Sequence, residues 1–549
     1  MQTTVLKLDR KDNVLIALID LKKGDQVNFS GQRSVLLTDV SAKHKFALQD
    51  LAPGDPVLMY GVLVGRVVLP IRQGEVITTG NVRHDVVAFH ELQESYQWCA
   101  PDVSKWQNRT FLGYLRPDGQ VGTRNHWLVL PLVFCENRNL AVLKQAFEEE
   151  LGFATPQVYR RQVAELVRLY REGKTAEIEN YEFAKSARQA AVPKLFANVD
   201  GIKFLTHEGG CGGTREDSRN LCALLSGYIH HPNVAGATVL SLGCQNAQVS
   251  MLREELDRRD RRFKKPLLVY EQQQSTSESA MISQAIRETF LGLVEANKAA
   301  RQTAPICELC MGLKCGGSDG FSGLSANPAI GYTADLVAAL GGTAILAEFP
   351  ELCGVEQELI NRCVRKEVSD RFIQLMRDYA ARAKAVRSGF EMNPSTGNIR
   401  DGLITDAMKS AGAAKKGGTS PVTAVLDYPE YASEPGLNLL CTPGNDVECV
   451  TAQVAAGANV VLFTTGLGTP TGNPVSPVIK LSSNSALAKR MPDIIDLDTG
   501  SIISGGATIE QTGEAILEFL LQVASGEIRT KAELLAQNDF IPWKRGVSL

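Results

Sequence analysis

The sequence lacks the features that mark membrane-spanning, nucleic-acid-binding and disordered proteins. Its 549 residues carry 58 Lys and Arg against 61 Asp and Glu, for a net charge of -3, and 44% of them are hydrophobic. No apolar run approaches the roughly 20 residues needed to cross a bilayer, and charges interrupt residues 1–21 where a signal peptide needs an apolar centre. We therefore expect a soluble globular protein of the cytoplasm with no nucleic-acid and no membrane partner.

The common nucleotide-binding patterns are missing as well. GLGTPTG, at 466–472, does not open a helix in the way of a dinucleotide fingerprint, and no G-x-x-x-x-G-K-[ST] motif occurs. A nucleotide-dependent kinase or dehydrogenase is therefore disfavoured. Twelve cysteines in a long chain without a secretion signal favour reduced thiols over a disulfide framework, and some of them could bind a metal.

The chain is too long for one hydrophobic core, because single cores stop growing at roughly 250–300 residues. Short β-branched runs between Gly, Asp and Pro turns predict a small β-rich domain over 1–92, followed by a polar linker or strap over 93–110. Apolar runs such as HWLVLPLVF predict two α/β domains with mainly parallel sheets, over 111–300 and 301–549. The charged helical stretch 157–185 is expected to lie on the surface and to carry no chemistry.

The strongest local feature is THEGGCGGTREDS, in which His207, Glu208 and Cys211 stand among four glycines at the end of a predicted strand. Ligands in open α/β sheets bind outside the carboxyl ends of strands, and these side chains could bind a metal or act as acid and base. Cys244 has the same position after the next predicted strand. The alternatives are a tight turn around a structural cysteine and, for Cys244, a buried inert thiol.

A third cluster, KCGGSDGFSGLSANPAIG, places small hydroxyls, an amide, a carboxylate and a thiol in one loop that opens a helix. Its polar residues are Cys315, Ser318, Asp319, Ser322, Ser325 and Asn327. Such groups suit a polyol or carboxylate ligand, whose charge Lys409, Lys415 or Lys416 could neutralise. The alternative is a glycine-rich connector with N-capping serines.

Nine segments occur in one order along the chain. They are GYLRPDGQVGTRNHWLVLPLVFC, THEGGCGGT, LSLGCQ, LKCGGSDGFSGLSANPAIG, EFPELCGVEQEL, GLITDAMKSAGAAKKGGTSP, TPGNDVE, LFTTGLGTP and VIKLSSN. This series resembles the altronate/galactarate dehydratase family, and the amino-terminal AKHKFALQDLAPGDPVLMYGVLVG resembles the small SAF domain that precedes the catalytic region there. The resemblance covers nearly the whole chain. It implies a lyase that removes water from six-carbon sugar acids, with a divalent metal, commonly iron, as cofactor.

The resemblance and the chemistry of dehydration together predict roles for the polar residues. A metal would hold the substrate carboxylate, a base would take the C2 proton and an acid would protonate the leaving 3-hydroxyl. The expected catalytic residues are His207, Glu208, Asp319 and His44; the expected substrate-binding residues are Lys45, Ser318, Ser322, Ser325, Asn327 and Lys409; the expected metal ligands are His207, Cys211, Cys244 and Cys315. Fe2+ is the expected ion, Mn2+ is the alternative, and an iron–sulfur cluster on the three cysteines stays open.

His44 carries a separate hypothesis. A small domain that presents Lys43, His44 and Lys45 could close over the catalytic cleft, meet the substrate carboxylate and exclude water. The alternative is an exposed turn without contact to the site.

The sequence departs from the family pattern in three places. GEVITTGNVRH, at 74–84, lacks the histidines that the family usually has after the Gly-Glu pair, so the metal or substrate contact expected from those positions has no matching residue there. Leu467 stands where an arginine is common, which could alter carboxylate recognition, and the charged insert is longer than expected. The resemblance favours D-altronate as substrate, giving 2-dehydro-3-deoxy-D-gluconate in hexuronate breakdown. Galactarate is the alternative substrate, a non-catalytic sugar-acid-binding protein is the alternative of another class, and the chain could form a homo-oligomer.

Overall fold

A computed structural model describes residues 4–29, 32–92, 96–154, 158–183 and 193–548. A strand-rich amino-terminal region is followed by two regions in which helices pack on parallel sheets, which confirms the predicted α/β class. Among the described residues, no helix is both long and apolar enough to cross a membrane.

The amino-terminal region, residues 4–92, consists of short antiparallel strands joined by tight turns. The strands are β1 (Val5–Leu6), β2 (Val14–Ala17), β3 (Gln26–Phe29), β4 (Gln32–Val35), β5 (Lys45–Ala47), β6 (Pro56–Met59), β7 (Val62–Val67) and β8 (Val82–Arg83). They form three small sheets, in the orders β1-β2-β5, β3-β4 and β6-β7-β8. Phe321, Leu324 and Met408 from the far end of the chain complete one of its hydrophobic clusters. This region is therefore packed firmly against the carboxy-terminal region, because shared apolar burial stabilises the contact.

The segment that leaves the amino-terminal region lies across the carboxy-terminal one. The Tyr96 hydroxyl donates to Thr419 O at 2.7 Å, and Trp98 Nε1 donates to Thr419 Oγ1 at 3.1 Å. Trp106 is buried in the carboxy-terminal core. The segment thus runs as a strap, and residues 93–95 of the expected linker lie outside the described residues.

The second region, residues 110–296, is built on a four-stranded parallel sheet. Its strands are β9 (Thr110–Leu115), β10 (Val121–Gly122), β11 (His126–Pro131), β12 (Gly201–Phe204), β13 (Val234–Ser241) and β14 (Leu267–Glu271), and its helices are α1 (Asn137–Glu150), α2 (Val158–Arg171), α3 (Thr175–Ile178), α4 (Arg215–His230), α5 (Val249–Arg259) and α6 (Glu278–Ala296). The sheet order is β12-β11-β13-β14, and β9 pairs antiparallel with β10. All six residues of β11 are buried, as a continuous apolar run predicts for a strand covered on both faces.

The charged stretch forms α2 and α3 on the surface of the second region. Within α2 only Leu169 is buried, so this helix adds little to the core. Residues 157 and 184–185, at the ends of the predicted stretch, lie outside the described residues.

The carboxy-terminal region, residues 302–548, is built on a seven-stranded parallel sheet. Its strands are β15 (Gln302–Pro305), β16 (Cys310–Cys315), β17 (Thr343–Leu346), β18 (Val422–Leu426), β19 (Gly436–Leu440), β20 (Val460–Thr465), β21 (Val478–Ser482) and β22 (Leu497–Asp498). Its helices are α7 (Ala326–Ala339), α8 (Glu356–Asn361), α9 (Lys366–Ala385), α10 (Thr396–Arg400), α11 (Asp406–Ala413), α12 (Asp446–Ala455), α13 (Ser485–Arg490), α14 (Ile509–Ala524) and α15 (Lys531–Leu534). Short 3-10 helices lie at Phe134–Glu136, Gln272–Gln274, Ile306–Glu308, Phe349–Leu352, Phe390–Met392 and Ala414–Gly417. Outside the sheet, β15 pairs antiparallel with β9 and so joins the second and carboxy-terminal regions.

The strand order of the large sheet, β18-β19-β17-β16-β20-β21-β22, reverses direction at β16. β17 pairs with one side of β16, and β20 pairs with the other side. At such a reversal a crevice opens outside the carboxyl ends of the strands, and ligands of open α/β sheets bind there. The residues that follow β16, β17, β19 and β20 are therefore the first candidates for a binding site.

Candidate functional site

A cavity of about 430 Å3, called here the carboxy-terminal cavity, lies at this edge of the sheet. Four strand ends form its wall: residues 315–318 at the end of β16, Glu351 after β17, 444–446 after β19 and Leu467 after β20. Small-molecule sites commonly have volumes of about 300–1,000 Å3. Position and size together fit a site for one small molecule.

The opposite wall is polar and comes from α10 and α11. Ser395 Oγ accepts from Asn398 N at 3.2 Å at the start of α10, and Asn398 Nδ2 donates to Ser318 O at 2.8 Å. Lys409 on α11 donates to Asn393 Oδ1 at 2.6 Å. Ser318 Oγ is buried without a hydrogen-bond partner among the described residues, so it can bind a ligand hydroxyl at little cost.

Five charged residues form a buried network beside the cavity. Glu348 accepts a hydrogen bond from Lys314 and another, at 2.8 Å, from Lys416. Glu351 accepts one from Lys409 at 2.7 Å. Buried charges are stable only when they are paired, and each carboxylate of this network holds at least one ammonium group.

Cys315 and Asp446 extend this network to the cavity wall. Lys416 Nζ donates to Cys315 Sγ at 2.8 Å, and the Cys315 thiol donates to Glu351 Oε2 at 3.5 Å. Lys314 also pairs with Asp446 Oδ1 at 2.9 Å. Because both Cys315 and Asp446 line the cavity, a bound ligand would interact electrostatically with the charged groups of the network.

The network sets the protonation states at the cavity. Burial raises the pKa of Glu351, but the ammonium groups of Lys409, Lys314 and Lys416 outweigh burial and hold that pKa at about 2. Burial raises the pKa of the Cys315 thiol to about 11, although Lys416 opposes the shift. Burial lowers the pKa of Lys409, but Glu351 outweighs it and raises the pKa above its ordinary value. At neutral pH the cavity therefore presents an ionised carboxylate, a protonated amine and a protonated thiol.

Three of the residues predicted from the sequence line this cavity: Cys315, Ser318 and Lys409. Asp319 is buried beside them and its oxygens are engaged within the protein. Asp319 Oδ1 accepts from the Ser322 hydroxyl at 2.9 Å and from the Ser483 hydroxyl at 2.8 Å, while Oδ2 accepts from Asn484 Nδ2 at 3.1 Å. In this structure Asp319 and Ser322 hold the loop after β16 in place.

Ser325 and Asn327 are buried at the start of α7, outside the cavity wall. Ser325 Oγ donates to Ser483 O at 2.8 Å. Asn327 Nδ2 donates to Gly412 O at 3.0 Å, and its Oδ1 accepts from Thr464 Oγ1 at 2.6 Å. The polar groups of both residues are thus engaged in packing contacts.

The turn that carries His44 is docked beside the cavity. Lys43 Nζ pairs with Asp319 Oδ2 and with Asp401 Oδ1, each at 3.0 Å. His44 Nε2 is 2.9 Å from the carbonyl oxygen of Arg400, and Lys45 Nζ donates to Gly402 O at 2.6 Å. Burial lowers the pKa of Lys45 to about 7, against the attraction of Asp319. The amino-terminal region therefore contacts residues 400–402 at the end of α10, the helix that contributes Asn398 to the cavity wall.

A second cavity, of about 390 Å3, lies beside the glycine-rich turn that follows β12 and is called here the second-region cavity. Glu208 and Cys211 line it together with residues 540–544. His207 Nε2 donates to Pro131 O at 2.8 Å, and Nδ1 accepts from Gly209 N at 3.1 Å. Burial lowers the pKa of His207 to about 4, so the ring is neutral at pH 7 with both nitrogens engaged by the backbone.

The structure does not bring the four predicted metal ligands together. Cys211 and Cys244 are exposed, whereas Cys315 is buried in the carboxy-terminal network. Within the described part of the chain, three groups of side chains are close enough to share an ion: His84, Cys353 and Asp406; Asp118, His230 and Asp260; Cys315, Glu348 and Glu351. In the group that contains Cys315, lysines already neutralise both carboxylates. The residues at the carboxy-terminal cavity therefore do not fit a metal site as predicted.

The sequence-based prediction missed the carboxylates of the network. Glu348, Glu351 and Asp446 all follow strands of the large sheet, in the segments EFPELCG and TPGNDVE. Both segments stand among the nine family motifs, but the motifs alone assign no role to these carboxylates. Treating every polar residue just after a predicted parallel strand as a candidate would have found all three.

Comparison with known proteins gives three domain matches from one family. The altronate/galactarate dehydratase SAF domain matches residues 3–85, the D-galactarate dehydratase/altronate hydrolase second domain matches 113–297, and the D-galactarate/altronate dehydratase C-terminal domain matches 306–548. These matches confirm the resemblance that the ordered motifs indicated.

Curated relatives match along the whole chain. An altronate dehydratase of Bacillus subtilis (strain 168) is 31% identical and one of Escherichia coli (strain K12) is 32% identical, each over 99% of both chains. The galactarate dehydratase (L-threo-forming) of Escherichia coli (strain K12) is 29% identical over 96% of this chain and 93% of its own.

Proposed function

The chain belongs to the altronate/galactarate dehydratase family, and from that membership we propose that it converts D-altronate to 2-dehydro-3-deoxy-D-gluconate and water at the carboxy-terminal cavity. As a sugar-acid dehydratase it is a carbon–oxygen lyase. Its substrate is a small molecule with one carboxylate and a row of hydroxyl groups.

The observation that carries the location is the chemistry of the cavity wall. Lys409 offers an ammonium group for a carboxylate. The Ser318 hydroxyl and the amide nitrogen of Asn393 offer hydrogen-bonding groups for the hydroxyls of a ligand, whereas the amide of Asn398 is already bonded to Ser318 O and Ser395. A polar acid is bound well by such a wall, whereas an apolar ligand would leave these buried groups unpaired.

The reaction takes a proton from C2 and expels hydroxide from C3. The electron pair of the broken C2–H bond forms the C2–C3 double bond as the C3–O bond breaks, and the resulting enol becomes the 2-keto acid. The negative charge that builds up on the carboxylate during this step needs a fixed cation. Lys409 is placed on the cavity wall to supply that cation.

We assign the removal of the C2 proton to the carboxylate of Glu351. Lys409 lies 2.7 Å from Glu351 Oε1 and helps to keep the pKa of Glu351 at about 2, which makes Glu351 a weak base. A substrate carboxylate adds negative charge and competes for Lys409, and both effects raise the pKa of Glu351. Substrate binding would thus turn Glu351 into a base at the moment when one is needed.

We assign the proton for the departing hydroxide to the Cys315 thiol. Its pKa of about 11 keeps it protonated at neutral pH, and Lys416, 2.8 Å from the sulfur, would stabilise the thiolate after transfer. Cys315 and Glu351 lie on the same cavity wall. The wall therefore holds one proton acceptor and one proton donor within reach of one substrate.

Fe2+ as a catalytic cofactor, with Mn2+ as the alternative and an iron–sulfur cluster left open, stays a prediction. A bound divalent metal would supply an electrophile for the substrate carboxylate. Since the predicted ligands do not gather at one place, the steps above use only side chains.

The wall favours a monocarboxylate over galactarate, which has a carboxylate at each end. Among the described residues that line the cavity, Lys409 is the only cation, and Leu467 presents an apolar side chain. A second carboxylate would thus be buried without a partner. Leu467→Arg should raise the galactarate-to-altronate ratio of kcat/KM by about tenfold or more, because a charge-assisted hydrogen bond contributes roughly 1.5–3 kcal/mol. An unchanged ratio would mean that Leu467 does not influence the choice between galactarate and altronate.

The direct test is the release of 2-keto acid from D-altronate by the purified full-length protein, with and without added Fe2+ or Mn2+. Galactarate and D-gluconate serve as comparison substrates. The proposal expects D-altronate to give the highest kcat/KM. Absence of product from all three acids, with and without metal, would contradict it.

A cytoplasmic location and self-association into a homo-oligomer stay part of this proposal. Light scattering of the purified protein tests the homo-oligomer. A single species of 59.6 kDa would contradict the homo-oligomer.

A further inference from the structure

His84, Cys353 and Asp406 meet where the amino-terminal region packs on the carboxy-terminal one. His84 follows β8, Cys353 ends the 3-10 helix Phe349–Leu352, and Asp406 begins α11. One ligand atom from each residue lies within 4.8 Å of the other two. An imidazole, a thiol and a carboxylate from three separate segments thus converge on one point.

Asp406 is the unusual member of this group. Its side chain is fully buried, and neither carboxylate oxygen has a hydrogen-bond partner among the described residues. No cation pairs with Asp406 among the described residues, because Lys409 on the same helix is itself paired with Glu351 at 2.7 Å. A buried carboxylate in such a place is expensive unless it binds a proton or a cation.

The other two groups can serve as ligands. Cys353 is buried, and His84 is half-buried with a single weak contact, in which Ala407 N donates to Nδ1 at 3.3 Å. Only Nδ1 of the ring has a hydrogen-bond partner among the described residues, which leaves Nε2 available to coordinate. A cation can replace this long hydrogen bond at little cost.

The backbone brings these groups together by a close approach at Gly354. Its φ of +91° lies in the region that favours glycine, and a Cβ there would come within 2.9 Å of Val86 Cγ1. The chain after His84 therefore packs directly on the residue after Cys353. The three groups are held in position by packing before any ion binds.

We propose that His84, Cys353 and Asp406 bind one divalent transition-metal ion that fastens the amino-terminal region to the carboxy-terminal region. A nitrogen, a sulfur and an oxygen donor suit ions of intermediate softness such as Zn2+ or Fe2+ and disfavour Ca2+ and Mg2+, which prefer oxygen alone. The positive charge of the ion would pair with the buried carboxylate of Asp406. This inference does not depend on the proposed dehydration, since it concerns ion binding and not turnover.

Cobalt reports on such a site, because Co2+ bound to a thiolate absorbs in the near ultraviolet. The full-length protein, stripped of metal under reducing conditions, is titrated with Co2+. One equivalent should produce a thiolate-to-cobalt band. Cys353→Ser should abolish the band, whereas Cys307→Ser, which removes an exposed thiol outside the group, should leave it unchanged.

Thermal unfolding of Asp406→Asn gives a second, independent readout. Zn2+ should raise the Tm of the wild-type protein by about 2 °C or more when the ion is in large excess over its Kd. In Asp406→Asn the metal-free Tm should equal or exceed that of the wild type, because the unpaired carboxylate is gone. The Zn2+ concentration that produces half of the rise in Tm should be at least ten times higher for this variant than for the wild type.

Two results would overturn the proposal: no cobalt–thiolate band in the wild-type protein, or a band that survives in Cys353→Ser. If Cys353→Ser does not fold by circular dichroism, His84→Gln replaces it. That variant should weaken cobalt binding at least tenfold, and unchanged binding would equally contradict the site.

Discussion

The carboxy-terminal cavity and the second-region cavity occupy equivalent places on two different sheets. Each lies beyond the carboxyl ends of parallel strands, and their volumes are similar, at about 430 and 390 Å3. Their chemistry differs. The first adjoins a buried network of lysines and carboxylates, whereas the second has a neutral His207, an exposed Glu208 and an apolar wall that includes Phe540 and Trp543.

This difference shows that a glycine-rich turn and a reactive site are separate things. Gly210, after β12, has a φ of +99°, and a Cβ there would lie 2.1 Å from Leu132 O, so the backbone itself requires glycine. Glycine at this position allows the turn after β12 to pack closely against the backbone that follows β11. Perturbed pKa values cluster at functional sites, and the buried lysines and glutamates that produce them here lie at the large sheet.

The largest expected effect is on kcat, and it compares the loss of activity when one carboxylate in each cavity is replaced. Glu351→Gln should lower kcat for D-altronate by about 10³-fold, because a positioned base contributes roughly 10²–10⁴-fold. Glu208→Gln, the matched change in the second-region cavity, should cost less than about tenfold. Steady-state assays of 2-keto acid on both variants decide the comparison. A larger loss in Glu208→Gln would move the chemistry to the second-region cavity.

The next effect concerns the stability of the charge network. Lys314→Met should lower the free energy of unfolding by about 3–5 kcal/mol, because it leaves Glu348 and Asp446 buried or partly buried with fewer cations. Lys298→Met serves as control, since Lys298 pairs with Glu295 in the open and such pairs contribute about 0–1 kcal/mol.

Urea unfolding measures both changes. The double variant Lys314→Met, Glu348→Gln should recover part of the loss, since it removes a buried charge together with its partner. Equal losses in Lys314→Met and Lys298→Met would mean that the network is not held by its ion pairs.

The third prediction concerns the pH range in which a residue of each cavity loses its contribution to stability. His207 has a pKa of about 4 in the folded protein against about 6.5 when unfolded, so its protonation favours the unfolded chain. Its contribution, at most about 3 kcal/mol, is fully present above pH 6.5 and is lost as the pH falls towards 4. Glu351, with a pKa of about 2 against about 4.5 when unfolded, loses its contribution only between about pH 4.5 and 2.

His207→Gln tests the higher of these two windows. Glutamine keeps a donor and an acceptor but does not titrate, so the stability difference between wild type and variant should shrink as the pH falls from 6.5 to 4. Urea titrations at intervals of half a pH unit measure that difference. A constant difference across this window would mean that His207 is not a neutral, backbone-bonded ring.

The smallest effect concerns the turn of the amino-terminal region. His44→Ala removes the contact with Arg400 O, and kcat/KM should fall by about fivefold, since one hydrogen bond contributes roughly 1 kcal/mol. His90→Ala, at an exposed histidine of the same region, is the control. Unchanged turnover and unchanged substrate affinity in His44→Ala would exclude a lid contact through this residue.

Much of the fold could be predicted from the sequence because parallel strands leave a strong pattern. The run HWLVLP became β11, with every residue buried, and the run around Val460 became β20, which lies next to the central strand of the large sheet. Buried parallel strands must be apolar on both faces, so their sequences are nearly continuous hydrophobic runs. The family motifs then fixed the class of enzyme.

The site could be predicted only in part, because spatial neighbours in this fold are distant in sequence. Cys315, Ser318 and Lys409 were identified from their motifs and line the cavity. Glu351 was missed, since nothing in EFPELCG reveals that its carboxylate meets Lys409 across the cavity wall. Asp319 was identified as reactive, but its oxygens are engaged by hydroxyls that only the folded loop brings near.

A crystal structure of the full-length Glu351→Gln protein soaked with D-altronate tests the central claim most directly. The account predicts density for the sugar acid in the carboxy-terminal cavity, with its carboxylate at Lys409 and its hydroxyl groups at Ser318 and Asn393. Density in the second-region cavity, beside Glu208 and Cys211, would contradict it.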